Sequence, residues 1–146
     1  MKNNLSLPRH KQDKIDLLYL RMAKVWAENS YCKRSQVGCL IVKDGRIISD
    51  GYNGTPSGFD NGCEDCDNNT LSTVLHAEAN AITKIAKSTN SSEDATLYVT
   101  LSPCFDCAKL IIQAGIKRVV YSEVYRKTDS FKLLEEAGIE IKKMEI

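Results

Sequence analysis

The chain has 146 residues, enough for one well-buried core and too few for two ordinary domains. Apolar residues make up 42% and charged residues 27%, which excludes a disordered chain, and no apolar run approaches the roughly 20 residues of a membrane span. Twenty Lys and Arg against nineteen Asp and Glu leave a net charge of +1, so the total lends no support to a broad nucleic-acid footprint.

Residues 1–12 show no periodicity and read as a flexible arm ahead of a single domain over residues 13–146. Met1 to Asp13 is polar and lacks the apolar stretch of a secretory signal, so a cytoplasmic protein is expected. From Asp13, the residues Ile15, Leu18, Met22, Val25 and Trp26 recur at helical spacing and predict a helix that buries this face and frays near Asn29. VGCLIVKDGRIISDGY then reads as two strands joined at Asp44-Gly45, a pair that tolerates the positive φ angles of a tight hairpin.

From Asn53 to about Ser72 the chain is dominated by Gly, Asn, Asp and Pro. A polar loop of this length is functional or tied down. A second helix follows, with Leu75, Ala79, Ile82, Ile85 and Ala86 on one face and Ser72 or Thr73 as N-cap. Ala95 to Leu101 is a strand, Ser102-Pro103 a helix start, and Gly115 the end of that helix. Ile116 to Ser122 is a strand, Ser130 to Ala137 a short helix stopped by Gly138, and IEIKKMEI a last strand. The order α-β-β-α-β-α-β-α-β predicts a three-layer α/β/α sandwich around a mixed five-stranded sheet, since strand–helix alternation in the second half demands parallel neighbours.

Six cysteines accompany only two histidines. Without an export signal the thiols are expected to be reduced, as metal ligands or core residues rather than disulfides. Two short motifs stand at helix starts: His76-Ala77-Glu78 and Pro103-Cys104-Phe105-Asp106-Cys107. Cys104 and Cys107 fall at i, i+3 and share one helix face, where the partial positive charge of the helix N-terminus favours thiolate. Two thiolates and one imidazole leave the fourth position of a tetrahedral zinc open, the arrangement of a catalytic site. Glu78 is two residues from His76, a rotation of roughly 200° on an ideal helix, so it suits a proton shuttle better than a fourth ligand. H-x-E followed by P-C-x-x-C is the signature of zinc deaminases.

On these motifs, and on Arg34-Ser35-Gln36-Val37-Gly38, GYNGTPSG (51–58), HAEANAI (76–82) and LYVTLSPCFDCAKLIIQAGIKRVVY (97–121), the chain resembles the cytidine deaminase superfamily, and within it the deoxycytidylate (dCMP) deaminases of bacteria and phages. The similarity runs from about Tyr19 to Ile141. The resemblance implies zinc-dependent hydrolysis of dCMP to dUMP and ammonia, supplying dUMP for thymidylate synthesis. His76, Cys104 and Cys107 would hold a catalytic zinc and Glu78 would carry protons between water, the pyrimidine N3 and the departing amine. Asn53 would hold the sugar and base edge; Arg34 and Tyr125 would meet the 5′-phosphate, a task the planar guanidinium suits.

The resemblance further implies a homo-oligomer, commonly a hexamer, with dCTP and Mg2+ as activator and dTTP as inhibitor acting at the Asn53–Asn61 loop. Neither a nucleic-acid nor a membrane partner is implied. Some phage members carry a second, structural zinc, for which Cys32, Cys63 and Cys66 are candidates here, with Asp65, Asp67 or His10 to complete it; three unmetallated thiols are the alternative. Cys39 reads as a core residue. Two other readings stay open. One is a deaminase for cytidine, deoxycytidine, guanine or tRNA adenosine. The other is a non-catalytic four-cysteine zinc module of Cys63, Cys66, Cys104 and Cys107, whose spacing is too long for such sites and which leaves His76 and Glu78 idle.

Overall fold

The computed structural model describes residues 7–146. Five strands form one sheet: β1 (Gly38–Lys43), β2 (Arg46–Tyr52), β3 (Thr96–Leu101), β4 (Arg118–Glu123) and β5 (Glu140–Lys143). Four α-helices, α1 (Arg9–Trp26), α2 (Ala77–Ala86), α3 (Phe105–Gln113) and α4 (Asp129–Glu136), complete the predicted order. The strands lie in the order β2-β1-β3-β4-β5; β1 is antiparallel to both neighbours, while β3, β4 and β5 run parallel. The hairpin turns where expected, with Asp44 at φ 50° and Gly45 at φ 75°, the two successive positive angles a tight two-residue turn needs.

The connections β3–α3–β4–α4–β5 step across the sheet in one direction, so right-handed crossovers place α3 and α4 on the same face. There they join α2 over the main core of Ile41, Leu97, Val99, Ile111, Val119 and Leu134. On the other face α1 packs Leu20 and Ala23 against Leu40, Val42, Tyr98 and Val120. No described helix is long and apolar enough to cross a membrane. Cys39 is buried in the core.

The seating of α1 reverses the expectation drawn from its apolar spacing. Its buried residues are Asp16, Leu20 and Ala23, whereas Leu18, Met22, Val25 and Trp26 face outward, Val25 with 64% exposure. Two contacts decide this. A side chain on Gly38 would come within 1.9 Å of the Ala23 carbonyl oxygen, so the small Ala23 side of the helix meets the strand at close range. Asp16, fully buried, is answered by charge: Arg118 Nη1 donates to its Oδ1 at 2.9 Å, Lys142 Nζ to its Oδ2 at 2.8 Å, and the Tyr98 hydroxyl to Oδ1 at 2.6 Å. Burial alone would raise the Asp16 carboxyl; the bonds from Arg118, Lys142, Tyr98 and Gln12 outweigh it and hold the group well below the usual carboxylate range. The helix also begins at Arg9, so residues 9–12 of the expected arm are its first turn; residues 1–6 of that arm lie outside the described residues.

Two of the predicted helix starts also shift. α2 is capped by His76, not by Ser72 or Thr73, and α3 by Cys104, not by Ser102. The contact between α2 and the sheet is close as well: a side chain on Gly51 would reach the Ala77 carbonyl oxygen at 2.4 Å. Ser49 Oγ donates to the Ala81 carbonyl at 2.6 Å and Asn80 Nδ2 to the Tyr52 carbonyl at 2.8 Å, fixing the height of α2 over β2.

Asp16→Asn leaves Arg118 and Lys142 without their buried anion and should cost about 3–5 kcal/mol, read from the urea midpoint. Because the folded carboxyl titrates below its unfolded value of about 3.9, that stabilisation is complete above this pH and is lost as pH falls, so the gap between wild type and Asp16→Asn should stay constant from pH 8 to 5 and close only below about pH 4. Gly51→Ala should cost about 1–3 kcal/mol by overpacking the start of α2, measured in the same way.

Candidate metal and active site

The site is assembled by two helix N-termini that lie side by side on one face of the sheet. His76 and Cys104 have the same local role: each is the extended N-cap residue of its helix, at φ/ψ of −69°/157° and −74°/171°. Neither is therefore inside a helix, and the rotation expected between His76 and Glu78 does not apply; the extended His76 turns its ring toward α3 while Glu78, in the first turn of α2, points into the fold. Cys104 Sγ accepts the Cys107 backbone N–H at 3.4 Å, a thiolate's use of an otherwise open helix-terminal donor.

His76 Nδ1 lies 3.3 Å from Cys104 Sγ and 3.4 Å from Cys107 Sγ, and the three atoms fall within 4.8 Å of one another. This is the sole such grouping of three metal-binding side chains among the described residues. One nitrogen and two sulfurs converging on a point, with no fourth ligand among the described residues, fit a tetrahedral zinc that retains an open position. The hydrogen bond between the two thiols draws Cys104 down and pushes Cys107 up, so the pair shares one proton with the negative charge on Cys104, which His76 also favours. The Cys104 hydrogen bond in turn raises the His76 imidazole.

Glu78 is 4% exposed, and burial pushes its carboxyl up to about 7. With His76 and Cys104 it lines a cavity of about 360 Å³, within the range of small-ligand sites. Also lining it are Arg34 and Ser35 from the segment before β1, Glu64 and Thr70 from the long loop, and Val124, Tyr125 and Arg126 from the loop after β4. Arg34, Asn53 and Tyr125 thus all line the cavity that holds His76 and Glu78.

Asn53 has a structural duty that its place after β2 did not reveal. Its Oδ1 accepts the Val37 N–H at 2.9 Å and its Nδ2 donates to the Ser35 carbonyl at 2.8 Å, leaving one N–H and one lone pair for a ligand. Sequence reasoning missed Ser102, whose buried hydroxyl accepts the Tyr125 N–H at 2.6 Å and so sets the loop carrying Tyr125 and Arg126. It also missed Arg126, Glu64 and Thr70. A cation next to Tyr125 was a readable signal for Arg126; Glu64 and Thr70 gave none, because only the folding of the loop brings them to the cavity.

The expected second zinc site is not assembled. Cys32 and Cys63 are joined in a disulfide with their Cα atoms 5.0 Å apart, and Cys66 is free and exposed. A disulfide sulfur has no thiolate charge to offer a metal, so the trio cannot serve as ligands, and the expectation that all six cysteines are reduced is corrected with it. Loop closure across 31 residues made this pair, and no spacing rule pointed to it.

Three comparisons bear on this geometry. The model of the cytidine and deoxycytidylate deaminase zinc-binding region matches residues 13–123. The chain is 40% identical over 137 residues to the deoxycytidylate deaminase of Saccharomyces cerevisiae, covering 87% of this chain but 44% of that protein. It is 37% identical over 165 residues to the deoxycytidylate deaminase of Enterobacteria phage T4, covering 84% of this chain and 86% of that one. Among solved structures, the dCMP deaminase of cyanophage S-TIM5 in complex with dCMP and dUMP superposes with a TM-score of 0.89 at 44% identity, covering 95% of this chain and all of that one. With its His76, Cys104 and Cys107 triad, its buried Glu78 and its five-stranded sheet, this chain belongs to the cytidine and deoxycytidylate deaminase family.

Proposed function

We propose that this protein is a deoxycytidylate deaminase, converting dCMP and water to dUMP and ammonia. The observation that carries the reading is the make-up of one cavity: His76 and Cys104 of the three converging metal ligands and the buried carboxylate of Glu78 line it together with the guanidiniums of Arg34 and Arg126 and the phenol of Tyr125. With the cytosine beside His76 and Glu78, the sugar and phosphate fall to the remaining lining, where Arg34 and Arg126 offer planar forks suited to phosphate. Likeness to deoxycytidylate deaminases across most of the chain supports the same assignment.

Zinc bound by His76, Cys104 and Cys107 would supply Lewis acidity and bring the pKa of water toward about 7. The rest of the chemistry falls to the chain's own groups. Glu78, held near neutrality by burial, can accept a proton from the attacking water, pass it to N3 as C4 becomes tetrahedral, and deliver the next to the departing amine. Asn53 directs its remaining N–H and lone pair at the sugar or base edge, while its other atoms keep the Ser35–Val37 wall in place. Arg34, with Tyr125, engages the 5′-phosphate.

We further infer that the chain works as a homo-oligomer, a hexamer by resemblance, and responds to dCTP with Mg2+ as activator and to dTTP as inhibitor. The outward apolar stripe of Leu18, Met22 and Val25 supports assembly. The Asn53–Asn61 loop, half-buried to Pro56 and exposed from Ser57, with Gly58 at φ 89° and Phe59 in solvent, supports a nucleotide contact beside the cavity. Rate curves with and without each nucleotide test the regulation; a hyperbolic profile unmoved by either would overturn it.

Glu78→Gln should lower ammonia release from dCMP by about 10²–10⁴-fold while each chain retains one zinc by elemental analysis. Cys107→Ser should lose metal and turnover together. In a panel of dCMP, deoxycytidine, CMP and guanine, dCMP is expected to have the highest kcat/KM; preference for deoxycytidine would overturn the substrate assignment. Arg34→Ala should raise the KM for dCMP by about 10- to 100-fold, the loss of a charge-assisted pair to phosphate.

A further inference from the structure

The segment Ser30–Val37 carries Arg34 to the cavity without helix or strand of its own. Its order comes from outside. Residues 63–71 of the long loop fold into a small hairpin: the Leu71 N–H donates to the Cys63 carbonyl at 2.7 Å, the Asp65 N–H to the Asn69 carbonyl at 2.9 Å, and Glu64 faces Thr70 in an antiparallel bridge. The Asp65 carboxylate closes the turn by accepting the N–H groups of Asp67 and Asn69 at 2.9 and 3.0 Å. Cys63, buried at the base of this hairpin, is bonded to Cys32. The residues that follow the two cysteines are thereby brought face to face.

Glu64 uses this position on the main chain. Its carboxylate accepts the Lys33 N–H at 3.1 and 3.2 Å and the Arg34 N–H at 3.2 Å. Two successive N–H groups directed at one carboxylate form a small anion cradle that the protein fills with its own side chain. Opposite it on the hairpin, Thr70 Oγ1 accepts from Arg34 Nη1 at 3.4 Å. One arm of the hairpin thus holds the Arg34 backbone and the other its guanidinium. Among the described residues Glu64 forms no ion pair with Arg34, so the remaining guanidinium donors stay available to an incoming anion.

We propose that Glu64 is a positioning residue for phosphate recognition, fixing the Lys33–Arg34 backbone so that Arg34 enters the cavity already oriented. This rests on the reading of Arg34 as a phosphate donor. Orienting a long, exposed side chain before binding removes an ordering cost from the encounter with substrate. Glu64 acts on the main chain of Lys33 and Arg34, so it affects binding and not the chemical step.

The test is a double-mutant cycle in the full chain with dCMP as substrate, reading KM and kcat separately. Glu64→Ala should raise KM about tenfold with kcat within about twofold of wild type, and Glu64→Gln, which keeps an acceptor oxygen, should restore most of the loss. Glu64→Ala added to Arg34→Ala should cost nothing further, because Glu64 acts through Arg34. An unchanged KM in Glu64→Ala, an equal fall in kcat and kcat/KM, or additive losses in the double variant would each overturn the inference while leaving the Arg34 assignment standing. An unchanged KM in Arg34→Ala would overturn that assignment and the inference with it. If Glu64→Ala yields no folded protein, Glu64→Asp, whose shorter arm withdraws the carboxylate from the Lys33 and Arg34 N–H groups, carries the same cycle, with a rise in KM that vanishes in the Arg34→Ala background expected and an unchanged KM or an additive rise refuting.

Discussion

The site depends on the height at which α2 rests on the sheet beside α3. His76 and Cys104 are 28 residues apart in the chain and cap different helices, yet the ring nitrogen of one lies 3.3 Å from the sulfur of the other. A shift of one helix by an ångström would separate them. The shift is opposed by backbone contacts: the strand at Gly51 meets α2 where a single added carbon would collide with Ala77, and Ser49 and Asn80 tie helix to strand by hydrogen bonds. Close backbone approach is stiff in a way that contacts between long side chains are not, since no rotamer can absorb the change. The metal ligands are thus held by the packing of the fold, and the two helix N-termini contribute positive potential where thiolate is required.

Two buried carboxylates show how differently the halves of the molecule use charge. Asp16 lies on the inner face of α1 with Arg118, Lys142, Tyr98 and Gln12 all donating to it, and remains ionised far below its ordinary range. Glu78 is equally removed from water without a cationic partner of comparable strength, and burial lifts it to about 7. The first is a structural anion whose charge anchors a helix to the sheet. The second is neutral or charged at little cost, the condition under which a carboxylate can both accept and return a proton. Environment alone separates the roles.

The long polar loop solves a different problem. Expected to be functional or tied down, with a second zinc as one candidate, it is ordered by its own turn chemistry, by the bridges Gly54–Leu75 and Glu64–Thr70, and by the Cys32–Cys63 disulfide at its base. Its hairpin packs against the segment before β1, and Asn53 braces the same segment from the other side. The cavity wall is therefore made from irregular chain whose polar groups are satisfied by neighbouring irregular chain.

Much of the molecule was legible before folding. Local rules sufficed for the Asp44-Gly45 hairpin, the parallel second half, the helix stops at Gly115 and Gly138, and the grouping of His76, Glu78, Cys104 and Cys107, because each is encoded within a few residues or in a motif with one chemical use. Apolar periodicity failed for α1, since it treats Asp16 as a solvent-facing residue and cannot see Arg118 and Lys142 waiting across the sheet. It equally failed to foresee that the extended caps, not the helices, present His76 and Cys104. The Cys32–Cys63 pair, the bracing role of Asn53 and the clasp of Glu64 and Thr70 on Arg34 were decided only by tertiary structure. Each joins segments separated by 16 to 36 residues of chain, and contact at that range is set by how the layers pack, which no local pattern records.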